Sequence, residues 1–147
     1  MPIVFEIEGE KQLVRRFRGI EMAGKDWKPT MKTIGRDLTE CFSGPVFETR
    51  GREIGESWEK RAKGYSWPIL EKTGAMRKGF KYDAGKDKVE VYNIKDYFKF
   101  HQSNKPRSTR LPRRVMMKID NKRKEKIMKR FHETIIKALR GRNLWPI

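Results

Sequence analysis

The sequence predicts an α+β fold: a small, mostly antiparallel sheet packed against two or three helices, with a long irregular excursion. Three observations carry this. Apolar residues recur at helical spacing over two separate stretches, Met31 to Phe42 and Ile127 to Leu139. They alternate with charged residues over Ile3 to Glu8, and again over the neighbouring runs 80–84 and 88–93. Between these patterned regions, Val46 to Ser66 has no sustained period, three glycines and several large rings. A chain of 147 residues is read as a single domain, 1–147, large enough to bury a core.

Taken in order, Ile3, Phe5 and Ile7 share one face of a short strand that Gly9 breaks. Leu13, Phe17 and Ile20 then shift the period toward a helix running from Glu10 to about Met22. Pro29 suits the first turn of the next helix, where its missing donor costs nothing. Met31, Ile34, Leu38, Cys41 and Phe42 form that helix's stripe, which makes Cys41 a packed thiol rather than a nucleophile. Ser43-Gly44-Pro45 stops it. The excursion from 47 to 67 is expected to be an ordered lobe with one short helix near Glu56 to Lys63. Phe47, Trp58, Tyr65 and Trp67 are too many large rings for a disordered segment.

Thr73-Gly74 punctuates like a turn or helix cap before the strand at Phe80. Phe80–Ala84 and Lys88–Asn93, joined by Gly85-Lys86-Asp87, carry the best hairpin signal in the chain. Asp96 is placed to cap a short helix bearing Tyr97, Phe98 and Phe100 and ending at His101-Gln102, before a polar loop over 103–109. A last strand is expected through Val115, Met117 and Ile119. Asp120-Asn121 then opens a basic amphipathic helix over 120–140, with a stripe of Ile127, Met128, Phe131, Ile135, Ala138 and Leu139.

Composition narrows function mainly by exclusion. One cysteine permits no intrachain disulfide and fits a reducing compartment. No apolar run approaches the ~20 residues that span a bilayer, and the acidic N-terminus is unlike a signal peptide, so no membrane partner is expected. His101 and His132 stand far apart without Cys or carboxylates at ligand spacing, so no metal or other cofactor is expected. No phosphate loop or nucleophile elbow is present, and no catalytic residue is assigned.

Charge is the loudest feature. The net charge is +17, and residues 99–147 hold 16 basic groups against 3 acidic ones. An imbalance this local points to an anionic partner, either nucleic acid or an acidic protein face. Lys105, Arg107, Arg110, Arg113 and Arg114 could clamp phosphates or carboxylates, and Lys122, Lys126 and Lys129 extend the basic surface along the last helix.

Several motifs fall in a telling order. Thr73 to Phe80 reads T-G-A-M-R-K-G-F, with Gly55 and Trp58 upstream as G-x-x-W. Downstream come V-E-V in the hairpin, Y-F-K-F-H-Q from Tyr97 to Gln102, L-P-R-R from Leu111 to Arg114, and the terminal helix. Together, over about residues 38 to 139, they resemble the phage virion-morphogenesis or tail-completion family. The chain departs from that pattern at Gly79, at Ser103-Asn104-Lys105 and after Arg114, as a divergent relative would.

The resemblance implies a non-catalytic neck or upper-tail protein forming a homo-oligomeric ring, six-fold by expectation. Its partners would be other copies of itself, tail tube and head-connector proteins, and packaged DNA in contact. It would reside in the virion and, during assembly, in host cytoplasm. The motif positions carried over are Trp58, Thr73, Gly74, Met76, Arg77, Tyr97, His101, Gln102, Pro112, Arg113 and Arg114. Thr73-Gly74 would set a tight turn, Arg77 would form an inter-element or inter-subunit ion pair, and His101-Gln102 would hydrogen-bond a buried loop. The excursion with Phe47, Trp58, Tyr65 and Trp67, and the basic loop 103–114, are the candidate interfaces. From the residues alone, a nucleic-acid-binding module acting through the C-terminal third stays open beside this reading.

Overall fold

The computed structural model describes residues 3–6, 27–102 and 112–141; the helix expected over 10–22 and the loop 103–109 lie outside them. The fold is α+β, as the patterning predicts. Strand β1 (Ile3–Glu6) is followed by helix α1 (Lys28–Ser43), the one-turn helix α2 (Pro45–Glu48), a 3-10 turn (Arg52–Ile54) and the one-turn helix α3 (Ala75–Lys78). The hairpin β2 (Phe80–Ala84) and β3 (Lys88–Asn93), the short helix α4 (Phe98–Gln102) and the long helix α5 (Asn121–Gly141) complete the order. The sheet is antiparallel with β3 in the middle, in the order β1-β3-β2.

The hairpin forms over the expected boundaries. Tyr82 pairs with Val91 and Ala84 with Val89, and Gly85 closes the turn by donating to the Lys88 carbonyl at 2.7 Å. This register puts Phe80, Tyr82, Val89 and Val91 on one face, toward α1, and Lys81, Asp83 and Glu90 on the other.

Helix α1 is the middle layer. Its Pro stands in the first turn, and Met31, Ile34, Leu38 and Phe42 are all buried. Gly35 lets the helix approach the sheet closely: a Cβ there would stand 2.5 Å from the Tyr82 ring and 3.0 Å from Val89. That approach offsets the ~1 kcal/mol a mid-helix glycine costs relative to alanine. On its other side α1 meets α5. Trp27 and Phe131 rings pack 5.4 Å apart, Thr30 and Thr134 hydroxyls hydrogen-bond at 2.7 Å, and Arg130 Nε donates to Asp37 at 2.8 Å.

Helix α5 begins where expected, with Asp120 Oδ1 accepting from the Arg123 amide at 3.1 Å. Its stripe is narrower than the sequence suggests. Phe131 and Ile135 are buried, Ile127 packs at the core's edge, and Met128 turns outward at 46% exposure. The side chains of Ala138 and Leu139 lie outside the described residues.

Two expected elements do not form. No helix spans 56–63, because the chain reverses sharply just before it. Gly51 and Gly55 adopt φ of 81° and 73°, and the Glu56 and Trp58 amides bond back to the Gly51 and Arg50 carbonyls, both at 2.9 Å. The last strand is also absent. Residues 112–120 run without ladder pairing, and side chains satisfy several of their backbone groups instead.

Candidate functional site

The motif residues converge on that unpaired segment. Trp58, only 7% exposed, places its ring edge-on to Phe47 at 5.2 Å and donates its indole N–H to the Val115 carbonyl at 2.7 Å. Gln102, on the last turn of α4, reads two consecutive residues. Its Oε1 accepts from the Met116 and Met117 amides at 2.8 and 3.1 Å, and its Nε2 donates to the Met117 carbonyl at 2.8 Å. The Arg114 amide donates to the His101 carbonyl at 2.8 Å. His101 and Gln102 together hold this buried segment, Gln102 by its side chain and His101 by its backbone.

Arg114 requires a correction. It is 6% exposed, and its guanidinium donates Nε and Nη2 to the Glu59 carbonyl at 3.1 and 2.8 Å. It fastens the excursion to the 112–120 segment and is not available as a surface clamp for phosphate. Burial pushes its pKa down, opposed by Glu59 and reinforced by the nearby charge of Arg61. Burial also lowers the pKa of His101, again helped by Arg114, and His101 Nδ1 is buried without a hydrogen-bond partner.

Around α3 a second knot forms. Gly74 takes φ of 73° before the helix, and the Thr73 hydroxyl accepts weakly from the Ala75 amide at 3.3 Å. Met76 is buried, and the Asn93 side chain donates to its carbonyl at 2.7 Å. Arg77 spans three segments: Nε to the Ser43 carbonyl and Nη1 to Glu71, both at 2.6 Å, and Nη2 to Glu48 at 3.3 Å. It is an inter-element tie within one chain.

The candidate interface divides in two. Phe47 and Trp58 belong to the core, which corrects their expected surface role, since their rings find partners in Phe80 and Val115. Tyr65 and Trp67 remain outside, stacked on one another. Tyr97 is exposed too, as are Ile94 and Phe100. Pro112 is partly buried and Arg113 exposed. Lys122, Lys126 and Lys129 are exposed along α5, with Lys122 tied to Glu53 at 2.9 Å. Lys105, Arg107 and Arg110 lie outside the described residues.

The sequence reading missed Arg123. It is 2% exposed and reaches Glu53 at 2.8 Å, Cys41 Sγ at 3.1 Å and Asp120 at 3.4 Å. A signal was there: Arg123, Ile127 and Phe131 fall at i, i+4 and i+8, so Arg123 occupies the inward stripe. Cys41 is half-buried rather than buried, at the edge of a groove of about 540 Å³ between α1 and α5 that also presents Asp37, Glu53 and Lys126. Burial raises the Cys41 pKa, with Arg123 opposing. Hydrogen bonds from Lys122 and Arg123 hold the Glu53 carboxyl below its ordinary value. Cations and carboxylates offset one another here, so the groove has no excess of either sign to select a charged ligand.

Among the described residues no cluster of three or more His, Cys, Asp or Glu could hold a metal ion, and no helix is long and apolar enough to cross a membrane. Compared with protein-family models, with curated proteins and with solved structures, the chain matches none.

Proposed function

We propose that this chain is a structural virion protein of a phage neck or upper tail. It completes or terminates the tail and joins it to the head connector as a subunit of a homo-oligomeric ring, six copies by expectation. It acts by occupancy and catalyses nothing: one face caps the tube and another docks the connector. One observation supports this reading most. Four of the eleven residues by which the chain resembles the tail-completion family are stitching residues. Trp58, Arg77, Gln102 and Arg114 each bridge segments remote in sequence. A sequence signature containing such positions describes a scaffold rather than a catalytic cleft.

The test is the mass of the purified protein by light scattering at low and high salt. A discrete ring-sized oligomer that persists at high salt is expected, because closed heterologous interfaces rest largely on buried surface. A protein that stays monomeric, and gains mass only by binding duplex DNA with a steep salt slope, would overturn this reading. It would favour instead a nucleic-acid-binding module acting through the C-terminal third, for which the exposed Arg113, Lys126 and Lys129 speak.

A further inference from the structure

Residues 59–72 hold an arrangement that packing alone does not require. Tyr65 is 50% exposed, yet its ring stacks on Trp67 with centroids 4.7 Å apart and planes within 18°. A cation stands at each end of the stack. Arg61 Cζ lies 5.3 Å from the Tyr65 centroid, and Lys72 Nζ lies 5.2 Å from that of Trp67. Arg61 Nη2 also donates to the Trp67 carbonyl at 2.6 Å, so the ladder is held in place although no helix or strand supports it.

The stretch carries more cations than carboxylates. Lys60 and Lys63 are exposed on the same stretch, which contains two carboxylates, Glu59 and Glu71, against four cations. Glu71 is already engaged by Arg77 at 2.6 Å. Arg114 is buried close enough for its charge and that of Arg61 to act on one another.

We propose that the Arg61–Tyr65–Trp67–Lys72 ladder is a binding platform for single-stranded nucleic acid. A base stacks on the half-exposed ring of Tyr65 in place of the Arg61 guanidinium, which turns with Lys60 and Lys63 to the flanking phosphates. The pairing of flat apolar faces with nearby cations matches a ligand that alternates flat bases with anionic links. A duplex hides its base faces within the stack and would leave the rings unused. An acidic peptide would satisfy the cations only.

The experiment is fluorescence anisotropy of a labelled thymidine oligonucleotide of about 12 nucleotides, titrated with the full chain over a range of salt. Binding that weakens with salt is expected. Tyr65→Phe should keep it, and Tyr65→Ala and Tyr65→Leu should each weaken it about tenfold or more. Lys60→Ala and Lys63→Ala should each flatten the slope of log affinity against log salt by about 0.7. Since Tyr65 is half exposed, these variants leave the core intact, and circular dichroism checks that they fold. The proposal is overturned by no binding at low salt, by Tyr65→Ala binding like the parent, or by polyglutamate competing as well as unlabelled oligonucleotide. It is overturned equally if only substitutions at Lys126 and Lys129 abolish binding.

Discussion

Replacing Gln102 by alanine removes three hydrogen bonds at once and leaves the Met116 and Met117 amides and the Met117 carbonyl without their partners. Both methionines are buried, and residues 112–120 have no strand ladder to take those groups over. At roughly 0.5–1.5 kcal/mol net for each bond, the three together contribute about 3 kcal/mol. That is a large share of the ~5–15 kcal/mol that stabilises an ordinary domain. Urea unfolding should show the midpoint fall at unchanged slope, and thermal unfolding a drop of roughly 6–12 °C.

Gln102→Glu sharpens the test. It keeps an acceptor for the two amides, but near neutral pH its carboxylate faces the Met117 carbonyl. The two amides favour the carboxylate and the carbonyl disfavours it, so Gln102→Glu should lose less stability than Gln102→Ala if the amide bonds carry the larger share. A loss under ~0.5 kcal/mol for Gln102→Ala would refute the reasoning, because that is the range of an ordinary surface substitution.

Two further outcomes follow from the geometry. Gly51→Ala should destabilise by about 3 kcal/mol or more, since φ is 81° and the new Cβ would stand 1.9 Å from the Glu56 carbonyl oxygen and 2.6 Å from the Trp58 ring. Gly55→Ala, at φ of 73° but with open space around it, should cost only about 1 kcal/mol; equal losses in urea unfolding would contradict this. His101, whose pKa is depressed by burial and by Arg114, favours the folded state when neutral. Its contribution is full above the unfolded value of about 6.5 and declines as pH falls through the folded pKa. Unfolding measured at pH 7.5 and 5.5 should show a drop in the parent that is smaller in His101→Gln; identical drops would remove His101 as the cause.

Local pattern made much of this fold legible. The hairpin boundaries, the course of α1 and the Asp120 cap of α5 all rest on interactions within a few residues, which period and turn chemistry report directly. The helix expected over 56–63 and the strand expected through Val115, Met117 and Ile119 do not form, because their apolar residues serve a different purpose. Trp58 and Val115 are pinned to one another across 57 positions, and that bond outweighs either segment's own periodicity. The candidate site divides along the same line. Arg77 and Gln102 could be singled out from the order of motifs, while their partners, from Ser43 to Met117, could not.

Composition could say that the chain is basic, but not which cations are free to meet a partner. Arg113 and Arg114 are neighbours of the same type, one exposed and one buried against Glu59. Phe47 and Trp58 face inward while Tyr65 and Trp67 stack outside, from one aromatic-rich stretch. Periodicity and turn chemistry settle where helices and strands run, because a residue's neighbours along the chain are known in advance. Which ring or guanidinium enters the core is settled only by folding, because it depends on a carbonyl or carboxylate brought in from tens of residues away.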